Sequence, residues 1–214
     1  MRQCSLCDEI GGSSSHFGDD YCDLVESGST CIACTNTFIV VPSIGALNES
    51  HVMIVPRLHV KSLAENIGDS VSELAQLMQR LSEFAARKYE WRLVFFEHGT
   101  GNAVDTSGAC VEHAHLHVVR AVPGLGKLLL DASWTPLLSI RDLSVVADRS
   151  HGYLYFRDDT GSSFVLNNPR VQPQHFRKCY SALQGGSAAW NWRLNFRLSA
   201  LRSVVDTYAE FAFT

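Results

Sequence analysis

The sequence predicts an α+β fold with a mainly antiparallel sheet, and three observations predict it. Short β-branched runs recur along the first 120 residues. One long stretch between them carries helical periodicity. A turn signal between two further runs marks a hairpin in the last third.

Thr37–Pro42 (TFIVVP) and His51–Pro56 (HVMIVP) read as antiparallel strands joined by the turn-rich SIGALNES. Ser70 with Glu73 three residues on reads as a capping box. Val71, Leu74, Leu77, Leu81, Phe84 and Ala85 then follow at helical spacing through about Tyr89, so this helix covers one face of the sheet. Arg92–Glu97 is a third strand, and the loop HGTGNAVDTSGAC leads to a fourth, Val111–Val119. Beyond Pro123 the segment GLGKLLL reads as irregular. Gly152–Phe156 and Ser162–Leu166 flank Asp158-Asp159-Thr160-Gly161 as a hairpin, and residues 174–185 and 196–212 read as helices. Residues 10–30, rich in Gly, Ser and Asp, read as a loop.

Composition narrows the class. The 214 residues are 46% hydrophobic and 19% charged, ordinary for a globular protein, with a net charge of -4. No basic block exists, so an extended nucleic acid is not an expected partner. The start, MRQCSLCDEIGG, lacks the apolar core of a signal peptide, and no run approaches the ~20 residues of a membrane span. A cytoplasmic protein with no membrane contact is expected. The seven cysteines include two C-x-x-C pairs, Cys4/Cys7 and Cys31/Cys34, and four sulfurs can make a closed zinc site. An odd cysteine count in a reducing compartment argues against a disulfide framework.

The fourth strand carries the chemistry. Side chains alternate along a strand, so His113, His115 and His117 share one face at a spacing of about 6.5–7 Å, while Ala114, Leu116 and Val118 point into the core. Three adjacent imidazoles cannot all be charged near neutrality. Such a row can bind a metal, supply a nucleophile with proton donors, or be structural.

The segment His113-Ala114-His115-Leu116-His117-Val118-Val119 resembles the motif of the histidine triad (HIT) superfamily. The resemblance extends upstream through FIVVPSIGALNESHVMIVPRLHV, the capped helix and FFEHG, in the family's order and spacing, over roughly residues 1–120. It implies an antiparallel sheet of about five strands with a long helix packed on it. Residues 1–122 would be the catalytic core and residues 123–214 an extension of hairpin and helices that packs on it and contributes to the nucleotide site. It also implies that His115 attacks the α-phosphorus of a nucleotide, giving a covalent nucleotidyl-histidine, with His117 hydrogen-bonding a phosphate oxygen or the scissile bridge. Backbone amides of Gly108, Ala109 and Cys110 would face the developing phosphate charge. Family members often carry Gln and Ser near that position, where Ala109 and Cys110 stand here.

Members with an N-terminal C-x-x-C hold a structural zinc, and the resemblance maps its ligands onto Cys4, Cys7, His51 and His113. The competing assignment joins Cys4 and Cys7 to Cys31 and Cys34. For the pocket, Ser43 stands where many members carry a ribose-binding Asp, and Glu97-His98-Gly99 stands where an Asn often meets phosphate or sugar. Glu97 faces either substrate or, as a structural acceptor, a triad histidine. The segment from Asn168 to Lys178 resembles a Q-x-F-R element of FEHG-type relatives, which makes Gln174 and Arg177 phosphate-side ligands. Trp190 and Trp192 either stack on a base or pack in the core.

The expected activity is thus that of a nucleotide hydrolase or nucleotidyltransferase. A pathway-specific transferase moving a nucleoside monophosphate to a small acceptor, and a nucleotide-binding protein without turnover, are the alternatives. A homodimer is expected by resemblance, since many such domains join edge strands, unless the extension replaces that contact.

Overall fold

A computed structural model describes residues 4–13, 18–101, 113–186 and 190–211. Gly108, Ala109 and Cys110, expected to line the phosphate site, lie outside the described residues. Two short helices, α1 (Ser5–Ile10) and α2 (Asp19–Glu26), precede strands β1 (Ala33–Cys34), β2 (Phe38–Pro42) and β3 (Val52–Pro56). The long helix α3 (Leu63–Tyr89) leads to β4 (Leu93–Gly99) and β5 (Leu116–Arg120). There follow α4 (Leu125–Leu129), β6 (Thr135–Leu137), α5 (Leu143–Val146), the hairpin β7 (Tyr153–Arg157) and β8 (Ser163–Asn167), then α6 (His175–Leu183) and α7 (Leu198–Thr207). One sheet runs β1-β2-β3-β5-β4-β7-β8-β6, with antiparallel neighbours throughout. The class is α+β, as the β-branched runs imply. The sheet has eight strands rather than five because the strands after residue 122 continue it.

Alternation along each strand sorts side chains between two covered faces. Phe38, Val40, Val52, Ile54, Phe95, Leu116 and Val118 face α3, which meets them with Leu74, Leu77 and Leu81. On the opposite face, Ile39, Val41, Met53 and Val55 pack on Leu6 of α1. Farther along that face, Val94, Phe96, Val119, Leu154 and Phe156 pack on α4 and α6 through Leu125, Leu129, Phe176 and Tyr180. Both faces are buried, so β2 and β3 read as unbroken apolar runs.

Helix α3 begins seven residues before the expected Ser70, with Ser62 at the N-cap. Glu97 takes over the capping: its Oε1 accepts from the Leu63 amide at 2.8 Å. Glu73, read as half of a capping box, instead accepts from the amide and hydroxyl of Thr37, fixing the start of β2. Tertiary partners decided both, and a local pattern cannot show them. Two further expectations change for the same reason. Residues 19–26 are helical because Tyr21 and Val25 pack on Leu201, and GLGKLLL holds α4 because Leu125 and Leu129 enter the core. The motif strand starts at Leu116, so His113 and His115 lie in the extended segment leading into it.

The extension completes the sheet. Strand β7 pairs with β4 from Phe95↔Arg157 to Gly99↔Tyr153, so β4 is interior. The outer strands are β1, with two residues, and β6, with three. Among the described residues, edge-to-edge pairing with a second copy has these two short strands to use. Among the described residues no helix is long and apolar enough to cross a membrane.

Candidate active site

The segment before β5 delivers His115 with its tautomer fixed. Its Nδ1 lies 2.7 Å from the carbonyl oxygen of His113. A carbonyl only accepts, so Nδ1 carries the proton and Nε2 keeps its lone pair. Burial lowers the ring's proton affinity and the nearby Arg177 cation adds to this, against the His113 hydrogen bond. His115 is therefore neutral near pH 7, with an unprotonated Nε2.

His117 is oriented by His51. The Leu47 amide donates to Nδ1 of His51 at 3.0 Å, and Nε2 of His51 lies 3.0 Å from Nδ1 of His117. Burial holds both rings well below the ordinary histidine value, with the Arg177 cation adding to it, so each carries one proton. The proton of His51 must be on Nε2, which donates to His117, and that of His117 must be on its own Nε2. The relay ends in a hydrogen-bond donor beside His115, whose ring centroid is 4.8 Å from that of His117.

His51 is thus not with the cysteines, contrary to the expected ligand set. Among the described residues, the cluster able to hold a metal is Cys4, Cys7, His59 and His113, with donor atoms all within 4.8 Å of one another. His113 Nδ1 lies 3.5 and 3.4 Å from the sulfurs of Cys4 and Cys7, and His59 Nδ1 lies 3.2 Å from Cys7. A tetrahedral zinc with ordinary bond lengths separates sulfur and nitrogen ligands by about 3.5 Å, so the donor set fits. The His113 Nε2 donates to the Pro56 carbonyl at 2.8 Å, which leaves Nδ1 as the ligand nitrogen. The expected set and the observed cluster differ by one histidine because His51 and His59 bracket the same strand, β3. His51, at its start, turns to His117, whereas His59, three residues past its end, reaches α1. Cys31 and Cys34 are not in this cluster.

One pocket brings His98, His115 and His117 together. Ser5, Leu6, Ser43, Ile44, Met53, Phe96, His98, His115, His117, Gln174, His175, Phe176, Arg177 and Trp192 line it. Its walls are largely apolar, and Trp192 rather than Trp190 lines it. Arg177 is buried, donating through Nε to the Trp190 carbonyl at 2.7 Å and through its terminal nitrogens to the Gly45 carbonyl and Ser43 Oγ. Gly45, at φ +61°, lies so close to Trp192 that a Cβ there would approach the Trp192 Cβ to 2.7 Å. The loop from Ser43 to Gly45 is thereby clamped to the extension. Gln174 accepts from the Trp192 amide at 3.3 Å and faces the same cavity. The charge of Arg177 opposes protonation of His51, His115 and His117 alike, so the pocket is neutral imidazole beside a fixed cation, a setting for an anion.

Glu97 does not line this pocket. Strand alternation turns it to the α3 side, where it caps Leu63 and accepts from the Tyr153 hydroxyl. Burial there pushes its carboxyl up to about 7, against those two hydrogen bonds. The same alternation turns its neighbour His98 into the pocket. Its Nε2 is buried and without a hydrogen-bond partner, and burial lowers the ring to about 4. His98 was not among the expected site residues; alternation from Phe95, a core-facing aromatic, was the signal that could have found it.

A family described as "Protein similar to CwfJ C-terminal" matches residues 26–123. Solved structures similar to the chain include a zinc-bound histidine triad family protein from Mycobacterium smegmatis, at 20% identity, 57% of this chain, 77% of that chain and TM-score 0.39. A HIT family hydrolase from Legionella pneumophila Philadelphia 1 is similar at 22% identity, 55% of this chain, 91% of that chain and TM-score 0.35. A HIT family hydrolase from Clostridium thermocellum Cth-393 is similar at 18% identity, 57% of this chain, 94% of that chain and TM-score 0.32. No curated protein matches the sequence.

Proposed function

We propose that this chain is a histidine triad protein, a nucleotide hydrolase or nucleotidyltransferase that works through a covalent histidine intermediate on His115; the match of residues 26–123 to the family described as similar to the CwfJ C-terminal supports this reading. The observation that carries this reading is the 2.7 Å bond from His115 Nδ1 to the His113 carbonyl, because it leaves Nε2 as a nucleophile without a prior deprotonation.

In the first step the Nε2 lone pair attacks the α-phosphorus, and the bond to the leaving-group oxygen or nitrogen breaks. The imidazole becomes cationic as it bonds phosphorus, and the His113 carbonyl stabilises the charge at Nδ1–H. His117 Nε2–H hydrogen-bonds the phosphate or the departing atom, held in that role by His51. In the second step water or another acceptor attacks the phosphorus and gives up a proton to solvent, and the P–N bond breaks so that His115 leaves as a neutral ring. Arg177 supplies positive potential to the bound phosphate, and Ser43 offers a hydroxyl to the sugar. The apolar walls, including Leu6, Ile44 and Trp192, suit a purine or pyrimidine face.

We assign zinc to Cys4, Cys7, His59 and His113. The ion, when bound, supplies cross-linking rather than chemistry: it ties α1 to the histidine segment and to the end of β3. Because α1 also brings Ser5 and Leu6 to the pocket, the same tether sets a substrate wall. We place the protein in the cytoplasm, where thiol ligands stay reduced.

A second reading, transfer of a nucleoside monophosphate to a small acceptor, is favoured by the absence of a carboxylate at Ser43 for a ribose. The discriminating experiment incubates the purified chain with a diadenosine polyphosphate, an adenosine phosphoramidate, ADP and a UDP-sugar, and follows nucleotide release by chromatography. Turnover of at least one substrate that disappears in His115→Ala is expected. Release unchanged in that variant sinks the proposal.

A further inference from the structure

The second C-x-x-C pair lies outside everything assigned so far. Cys31 and Cys34 are exposed, and their sulfurs approach to 2.9 Å. Their backbones are fixed: the Cys31 amide donates to Gly28 at 3.0 Å, Ile32 donates to Val40 at 2.9 Å, and Cys34 pairs with Ile39 in the sheet. Nη1 of Arg57 lies 3.7 Å from the Cys34 sulfur. Two sulfurs so placed cannot both be thiolates without mutual repulsion, and little movement brings them to the ~2.05 Å of a disulfide.

We propose that Cys31 and Cys34 form a redox-active dithiol that exchanges with small-molecule disulfides and closes to an intramolecular disulfide. Cys34 is the attacking sulfur. As a thiolate it displaces one half of the small disulfide, forming a mixed disulfide and releasing a thiolate beside the Arg57 cation. Cys31 then gives up its proton to that thiolate and attacks the Cys34 sulfur. The second small thiolate departs and takes a proton from solvent, restoring the one lost when Cys34 ionised. One small disulfide is reduced to two thiols, and one protein dithiol becomes one disulfide.

The division of labour follows from position: the Arg57 guanidinium lies 3.7 Å from the Cys34 sulfur. Partial desolvation, then the Cys34 sulfur by hydrogen bond and by charge, raises the Cys31 thiol. Both contributions of Cys34 vanish once it is capped in the mixed disulfide, which frees Cys31 to resolve it. The closed disulfide ties the short edge strand β1 to the turn that enters it.

The test uses the full chain with its metal bound. It is titrated with oxidised and reduced glutathione, quenched with an alkylating reagent, and mapped by peptide mass. A loss of 2 Da confined to the peptide containing residues 31–34 is expected, at a ratio of oxidised to reduced reagent that leaves Cys22 and Cys179 alkylated. Cys31→Ser is expected to accumulate a one-to-one mixed disulfide on Cys34, and Cys34→Ser to react at least tenfold more slowly. Two alkylated thiols at Cys31 and Cys34 under all oxidising ratios would overturn the proposal. So would protection of both sulfurs by a second equivalent of zinc that blocks disulfide formation throughout. Neither outcome bears on the His115 chemistry.

Discussion

Nε2 of His51 lies 3.0 Å from Nδ1 of His117, and the Leu47 amide closes the far side of the His51 ring. This two-histidine relay turns a buried neutral imidazole into a directional donor, because only one placement of two protons satisfies both contacts. His51→Ala leaves His117 free to turn or to take the other tautomer. The expected result is a kcat loss of about 10²-fold with KM changed much less, since a positioned proton donor contributes roughly 10²–10⁴. Steady-state kinetics checks it; an unchanged kcat removes the relay from the mechanism.

The ligand assignment separates two histidines eight positions apart. His59→Ala is expected to lose bound zinc, and His51→Ala to retain it, when each purified protein is measured by elemental analysis. Loss of the ion frees α1, so the His59 variant is also expected to show raised KM before any fall in kcat, through Ser5 and Leu6. Zinc lost in the His51 variant and kept in the His59 variant reverses the assignment.

His98 brings an unpartnered Nε2 to the pocket, and a bound substrate atom is the natural partner for it. Replacing it with Ala removes a hydrogen bond to a charged ligand, worth about 1.5–3 kcal/mol. The expected effect is a KM increase of roughly 10–100-fold, partly restored by His98→Asn, which keeps a donor. Equal KM values for wild type and His98→Ala assign the ring to packing.

Glu97 makes stability depend on pH in an unusual direction. Its carboxyl rises from 4.5 to about 7 on folding. Between those values the folded chain holds a proton that the unfolded chain has lost, so its contribution is fully present below 4.5, falls as pH rises toward 7, and is flat above. The span corresponds to about 3 kcal/mol, as the group is fully buried. Glu97→Gln mimics the protonated acid toward Leu63 and Tyr153. Urea unfolding at pH 5 and pH 8 is expected to show a variant close to wild type at pH 5 and about 2–3 kcal/mol more stable than it at pH 8. Parallel pH profiles contradict the burial argument.

What the sequence showed and what it concealed divide along a physical line. Alternation is local, so the opposite facings of His117 and Leu116 were readable in the chain. The choice between His51 and His59 was not, because both bracket β3 and only the packing of α1 decides which one meets the cysteines. Glu97 was placed on the substrate side by family position, although its neighbour Phe95 already marked the core face. The contacts of Arg177 to Gly45 and Trp190 join residues far apart in sequence, so the resemblance to a Q-x-F-R element singled out the arginine but not the loop it holds.

The proposed catalysis rests on a bond between phosphorus and Nε2 of His115. Rapid acid-free quench of the wild-type chain with a turned-over nucleotide, followed by peptide mass mapping, tests it most directly. A nucleotidyl mass on His115, absent in His115→Ala and accumulating when acceptor water attack is slowed at low temperature, is the expected result. A covalent mass on another residue, or full turnover by His115→Ala, contradicts it.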